Sequence, residues 1–153
     1  MKCRCQIFCF IFFLIHSHSL WSQGIDKRNY STLDGLSANS LTCFYQDKLG
    51  YLWIGTIRGL DRFDGVSFKN YGIHNGLPTL ICNQIMEDRE GRMWVATRNG
   101  IAEFRKDSFY VYKNTDQKKI DYVYQVYENT GGQVIANAAQ GQYRFDGKTW
   151  QPF

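Results

Sequence analysis

The sequence predicts an all-β protein made of β-propeller blades, each a sheet of four antiparallel strands. The first observation is a hairpin-like stretch, LWIGTIRGLDRFDG at residues 52–65, in which an apolar segment around Trp53 runs into a turn at Arg58 and Gly59. The second is its return 41 residues later as MWVATRNGIAEF and, more weakly, after another 41 residues as VIANAAQGQYRFDG. A fixed period near this length is typical of propeller arrays, with one blade per repeat.

Three kinds of residue hold this register, and we interpret them as structural parts of the blades. We expect the large apolar side chains to pack between neighbouring blades, with stacking of a tryptophan on a ligand as the alternative. The residues in register are Trp53 and Trp94, the glycines Gly59, Gly100 and Gly141, and the phenylalanines Phe63, Phe104 and Phe145.

The same period sets the predicted blade limits. Blade 1 is expected at residues 31–71, blade 2 at 72–112 and blade 3 at 113–153, with a leading strand at 23–30. Blade 3 is degenerate, because Ile135 stands where the other repeats have tryptophan.

About three blades are too few to close a ring, since propellers usually have four to eight. The sequence therefore predicts an incomplete or open propeller that exposes two apolar blade faces. We interpret the chain as a truncated or fragmentary piece of a longer protein. The alternative is a chain that completes its ring by self-association.

Residues 1–22 are predicted to be a secretory signal peptide. Lys2 and Arg4 form a positive start, residues 7–15 are strongly apolar, and Ser22 is a small residue suited to cleavage. An uncleaved membrane anchor is the alternative, although the apolar run is shorter than the ~20 residues of a spanning helix. We therefore expect an exported, periplasmic protein that meets a membrane only if the leader stays attached.

Charge and composition argue against several other functions. The formal net charge is +4, and the basic residues are scattered, so no nucleic-acid partner is expected. No spacing of His and Cys predicts a metal site, and no cofactor is expected.

Outside the leader, Cys43 and Cys82 are interpreted as two core thiols, with a disulfide as the alternative. The turn acids, repeated between blades, indicate turn chemistry rather than calcium binding or catalysis; they are Asp47, Asp64, Asp88 and Asp146.

With the stretches DGLS and QDKLG before LWIGTIRGLDRFDG, and NGLP and EDREG before MWVATRNGIAEF, the chain resembles the two-component regulator propeller repeats. These repeats form the periplasmic sensor region of bacterial hybrid histidine kinases, which sense oligosaccharides. The resemblance implies a non-catalytic sensing module, and no kinase motif or second hydrophobic segment is present in this sequence. It carries no ligand residues, because the repeat motif is structural.

Candidate ligand residues are instead placed by geometry. In a propeller, the middle turn of each blade and the loop to the next blade open on one face, where ligands commonly bind. Arginine and amide side chains there suit the hydroxyl groups of an oligosaccharide. The candidates are Arg58, Arg98, Asn99 and Gln140 in the middle turns, and His74 and Asn75 in the connecting loop. Two alternatives to a sensor stay open: a structural or interaction module, and a fragment of a polysaccharide-degrading enzyme.

Overall fold

The computed structural model describes residues 27–113, 116 and 119–153, so the predicted signal peptide lies outside the described residues. Within them, twelve strands and two single-turn 3-10 helices, Thr32–Asp34 and Ile73–Asn75, make up the regular structure. None of these helices has the length and apolar character needed to cross a membrane. The strands are β1 Leu41–Gln46, β2 Leu52–Thr56, β3 Gly59–Phe63, β4 Phe68–Tyr71, β5 Cys82–Glu87, β6 Met93–Thr97, β7 Gly100–Arg105, β8 Ser108–Tyr112, β9 Val123–Glu128, β10 Val134–Ala138, β11 Gly141–Phe145 and β12 Trp150–Pro152.

The strands form three separate antiparallel sheets, each of four strands in chain order. Blade 1 is β1–β4, blade 2 is β5–β8 and blade 3 is β9–β12, and each sheet lies inside one 41-residue repeat. The first strands of neighbouring blades contact each other, β1 with β5 and β5 with β9, so they form the inner side of the array. The prediction of an all-β, open array of propeller blades is confirmed.

Only the last four residues of the expected leading strand lie in the described part of the chain. Residues 27–30 have no regular secondary structure, and residues 23–26 lie outside the described part of the chain. Tyr30 still packs on Phe63 of blade 1, with ring centroids 4.9 Å apart. Tyr71 makes the equivalent contact with Phe104 of blade 2 at 5.5 Å. Tyr30 therefore supplies to blade 1 the aromatic contact that an outer strand supplies to blade 2.

The tryptophans lie at the junctions between blades. Trp53 is 1% exposed and meets Phe104 of the next blade edge-on, with ring centroids 4.8 Å apart. Trp94 is fully buried and meets Phe145 at the same distance. Burying such large rings supplies much of the hydrophobic stabilisation of each junction.

The buried indole N–H groups of Trp53 and Trp94 are each satisfied by an aspartate from the preceding turn. Trp53 Nε1 donates to Asp47 at 2.8 Å, and Trp94 Nε1 donates to Asp88 at 2.9 Å. In blade 3, the Ile135 side chain has no N–H group. The turn residue that corresponds to Asp47 and Asp88 is the neutral Asn129. Acid and tryptophan therefore occur together in blades 1 and 2 and are replaced together in blade 3.

Several aspartates have lowered pKa values because they accept hydrogen bonds. Burial would raise the pKa of Asp88, but donors on Trp94 and Arg92 bring it below the ordinary value of 3.8. Asp64 and Asp146 lie in exposed turns and accept from the backbone amides three and two residues further along the chain. These amides lower the pKa of both carboxyl groups.

We expect the protein to lose stability in acid as a result. A carboxyl group with a lower pKa in the folded state stabilises fully above its unfolded value, and the contribution is lost as pH falls through the folded value. The urea midpoint should therefore fall between about pH 5 and pH 2.5. The fall should be shallower in the Asp64→Asn, Asp146→Asn double variant, and equal pH profiles for the two proteins would contradict this assignment.

Blade 1 contains a buried polar network centred on Asp61. Asp61 is fully buried and accepts from the backbone N–H and the hydroxyl of Ser37, each at 2.8 Å, and from Asn70 Nδ2 at 2.7 Å. No described cation forms an ion pair with Asp61. The network ties the loop that opens the first repeat to strand β3. The same register positions in blade 2 hold Pro78, Ala102 and Val111.

The free face of blade 1 is partly apolar. Side chains alternate along a strand, so Phe44, which pairs with Ile54, points away from Trp53 and from blade 2. Phe44 is 77% exposed, whereas Ile85 and Val126 at the same register are buried between blades. This face matches the expectation of an uncovered blade face.

The free face of blade 3 is more polar than the expected apolar face, although Ile135 and Tyr127 lie on it as well. Asn137 accepts from Gln142 Nε2 at 2.9 Å and donates to Gln125 Oε1 at 3.2 Å. The register position of Gln142 is held by Leu60 in blade 1 and Ile101 in blade 2, and both are fully buried. We call Gln125, Asn137 and Gln142 the amide face. At Gln142 a hydrogen-bonded amide replaces an apolar side chain, so the amide face suits contact with water.

Both described cysteines are free thiols at the junction of blades 1 and 2. Cys82 is buried, Cys43 is half-buried, and the Cys43 thiol donates to the Cys82 carbonyl oxygen at 3.6 Å. Burial raises the pKa of both thiols. Such thiols are poor nucleophiles at neutral pH, which fits the interpretation as core thiols.

Candidate functional site

The candidate site lies at the end of the blades that carries their middle turns, which we call the upper end. Because the strands alternate in direction, the β2–β3 and β6–β7 turns share this end with the loop from β4 to β5. A concavity of about 580 Å³ opens between these three segments. It is lined by Ile57, Ile73, Pro78, Thr79, Leu80, Ile81, Arg98 and Asn99.

The turns are built so that their first residues point outward. In blade 2, the Thr97 hydroxyl accepts from the Asn99 backbone N–H at 3.1 Å and donates to the Gly100 carbonyl at 2.8 Å. In blade 1 the equivalent Gly59 has φ 136°, and a Cβ there would lie 2.3 Å from the Tyr71 carbonyl oxygen. Glycine is therefore required, and the turn holds its exposed side chains in place.

The structure brings only part of the predicted residue set into the concavity. Arg98 and Asn99 line it, whereas Arg58, His74 and Gln140 are exposed at the upper end without lining it.

The two asparagines are already engaged in loop hydrogen bonds. Asn75 Oδ1 accepts from the Gly72 backbone N–H at 2.9 Å and closes the 3-10 turn. Asn99 Nδ2 donates to the Pro78 carbonyl at 3.0 Å, and its Oδ1 accepts from Lys119 Nζ. Both side chains therefore hold the rim in shape rather than offering free groups to a ligand.

Arg98 is the strongest polar feature of the concavity. It is exposed, and no described acidic residue forms an ion pair with it. Its guanidinium lies 5.5 Å from the ring centroid of Tyr122, at the start of the inner strand of blade 3. An arginine held beside an aromatic ring keeps its donors directed outward for a ligand.

The apolar lining was missed by the sequence reasoning, which considered only polar residues. Ile57, Ile73 and Leu80 are 49%, 56% and 37% exposed at this rim. Ile57 occupies the register position of Arg98 and Ala139, so it varies between blades as the polar candidates do. The change of residue type at this turn position is visible in the sequence and could have identified Ile57 as a candidate site residue.

A smaller concavity of about 150 Å³ lies at the opposite end of the junction between blades 1 and 2. Its lining includes Asp47, Trp53 and Arg62. Asp47 is occupied by the indole N–H and by turn amides, and the Arg62 guanidinium stacks over Tyr51 and Trp53. These groups are committed to packing, so the upper concavity is the better candidate site.

Four of the described aspartates lack the property of a catalytic general acid. A glycosidase acid needs a raised pKa, whereas the pKa values of Asp64, Asp88, Asp107 and Asp146 are all lowered by hydrogen bonds. Among the described residues, no group of three or more His, Cys, Asp or Glu side chains is placed to hold a metal ion.

Three four-stranded blades, joined by aromatic contacts and open at their upper end, define a β-propeller repeat protein. Residues 35–58 and 76–99 match the two-component regulator propeller family. The chain carries repeats of this family, as the sequence motifs predicted.

Similar proteins are known from bacterial signalling systems. Histidine kinase P4 of Formosa agariphila is 39% identical over 64 residues, which cover 40% of this chain and 5% of the kinase. Two solved extracellular domains from B. thetaiotaomicron share the fold. That of a hybrid two component system has a TM-score of 0.67 and 23% identity, covering 78% of this chain and 19% of the solved one. That of a one component system has a TM-score of 0.62 and 22% identity, covering 74% and 18%. The chain thus spans less than a fifth of any of these proteins.

Proposed function

We propose that this chain is a non-catalytic ligand-sensing module, exported to the periplasm, which binds an oligosaccharide at the upper end of its blades. The observation that carries the proposal is the upper concavity, an open space lined by apolar side chains and by Arg98, which forms no ion pair with a described residue. Ligand sites typically combine apolar walls with a few directed polar groups. The similarity to sensor domains of two-component systems supports the same function.

Calorimetry with the purified chain tests this proposal. Titration with a panel of neutral and acidic oligosaccharides should reveal at least one that binds, and Arg98→Ala should weaken that binding about tenfold, near 1.4 kcal/mol. Lys148→Ala is the matched control, because it removes an exposed cation from the turn between β11 and β12 at the other end of blade 3. Flat titrations with a folded sample would count against the sensor function.

A second candidate function, an interaction module, is favoured by the free face of blade 1. Phe44 is exposed there at a register position that is buried in both other blades. An exposed aromatic side chain of this kind suits contact with another blade or another copy of the chain. Light scattering separates the two functions, because only the interaction module requires an assembled state.

A further inference from the structure

Tyr122 has a backbone conformation that side chains other than glycine rarely adopt. Its φ is 47°, and the other described non-glycine residues with positive φ are Lys106 and Asp107. Those two form the tight turn between β7 and β8, where positive φ is required by the hairpin. Tyr122 lies outside any hairpin turn, directly before the inner strand β9. Its conformation therefore has another cause.

Two hydrogen bonds from neighbouring turns hold Tyr122 in this conformation. Its backbone N–H donates to the Arg98 carbonyl at 3.0 Å, and its carbonyl accepts from the Ala139 N–H at 3.1 Å. A left-handed conformation costs a non-glycine residue on the order of 1 kcal/mol. Glycine would avoid this cost, so the tyrosine is retained against local backbone preference.

The conformation places the Tyr122 ring beside two other groups. Its centroid lies 5.0 Å from that of Tyr124, and the Arg98 guanidinium lies 5.5 Å away. Tyr122 is 38% exposed and Tyr124 is 54% exposed. Neither hydroxyl has a hydrogen-bond partner among the described residues. We call the pair the tyrosine shelf; its two rings are tilted by 53° to each other and are partly exposed next to the upper concavity.

The tyrosine shelf does not belong to the blade-building pattern. The register positions of Tyr122 are held by Ser40 and Ile81, and those of Tyr124 by Thr42 and Asn83. The aromatic residues that join blades recur in two or all three repeats, whereas these two occur once. An unrepeated aromatic pair that is exposed and strained indicates a role other than packing.

We propose that the tyrosine shelf is a binding subsite for one sugar ring, stacked on the aromatic faces and hydrogen-bonded by Arg98. This inference rests on the proposed sensor function. A pyranose ring has an apolar C–H face that packs on an aromatic ring and a polar edge that meets hydroxyl and guanidinium groups. Arg98 lines the concavity and flanks the tyrosine shelf, so one oligosaccharide can reach both.

The test compares binding and stability in the same variants of the full chain. Cellotetraose is the neutral probe and tetragalacturonate the acidic one, each titrated by calorimetry. Tyr122→Gly and Tyr124→Thr should each weaken binding of the preferred probe by about tenfold or more. Tyr122→Gly should leave the melting temperature unchanged or raise it, because glycine accepts positive φ without strain. A purely structural tyrosine would instead lower the melting temperature.

Tyr110→Thr is the matched control. Tyr110 is also exposed, beside Tyr112 and the Arg105 guanidinium, but it lies on the outer strand β8. The Tyr110→Thr variant should bind the probes as the wild-type chain does. Undiminished binding by both shelf variants would overturn the subsite alone and leave the sensor function standing. Failure of the wild-type chain to bind either probe would overturn the subsite together with the sensor function on which it rests.

Discussion

Replacing Trp94 with alanine should lower the free energy of unfolding by about 3–5 kcal/mol. The side chain is fully buried and lies within 5.5 Å of the rings of Tyr112, Phe145 and Trp150, measured between centroids. Its loss opens a cavity between blades 2 and 3 and leaves the Asp88 carboxylate without its indole donor. Urea denaturation followed by circular dichroism measures the change. A loss below about 1 kcal/mol would contradict this packing role.

Blade 3 supplies the control for this experiment, because it carries Asn129 and Ile135 where blade 2 has Asp88 and Trp94. Asp88→Asn should destabilise the wild-type chain, since an amide N–H would then face the indole N–H. In a Trp94→Ile background the same change should cost less, because only the contacts of Asp88 with Arg92 are then disrupted. The double-mutant cycle should give a coupling of about 1–2 kcal/mol, and additive effects would show that the acid and the indole act independently.

Replacing Asp61 with alanine should destabilise blade 1 by about 2–4 kcal/mol. The change leaves the Ser37 backbone N–H without its partner. The same change removes one of the two partners of the Ser37 hydroxyl and of Asn70 Nδ2, which keep their contacts with Thr56 and the Gly35 carbonyl. It also frees the loop that opens the first repeat. Urea denaturation measures the loss, and an unchanged midpoint would show that the network contributes nothing.

The chain again offers its own control, since blade 2 has an apolar set at these positions. Ser37→Pro, Asp61→Ala and Asn70→Val together would reproduce Pro78, Ala102 and Val111. Proline has no N–H to leave unpaired, and valine has no amide. The triple variant should therefore be more stable than Asp61→Ala alone, because no donor is left without a partner. A triple variant less stable than the single one would argue that the loop itself, not its unpaired donors, sets the cost.

The architecture was predictable because the residues that pack between blades recur at the same positions of successive repeats. Trp53, Phe104 and their counterparts 41 residues later make the same contact at two junctions, so one pattern specified both. The leading strand was expected from the register of Tyr30 alone. A single ring contact keeps that register without requiring strand pairing. Tyr30 therefore packs on Phe63 although residues 27–30 do not form a strand.

The candidate site was less predictable, because its residues are those that do not repeat. Arg98 was expected from its turn, but nothing in the sequence showed that Asn75 and Asn99 are occupied by loop hydrogen bonds. Tyr122 was missed because its importance depends on a backbone angle, which has no sequence signature. Tyr122 and Asp61 share one property that the sequence does show, because neither residue type recurs at the equivalent positions of the other two repeats.

The amide face bears on how copies of this chain can polymerise. Adding one open array to the next, head to tail, requires the free face of blade 3 to meet the free face of blade 1, and the operation has no natural end. Phe44 offers an apolar surface for that contact. The opposing face carries the hydrogen-bonded amides of Gln125, Asn137 and Gln142, which would have to be desolvated. The contact would therefore be costly, which disfavours head-to-tail growth between copies of these three blades.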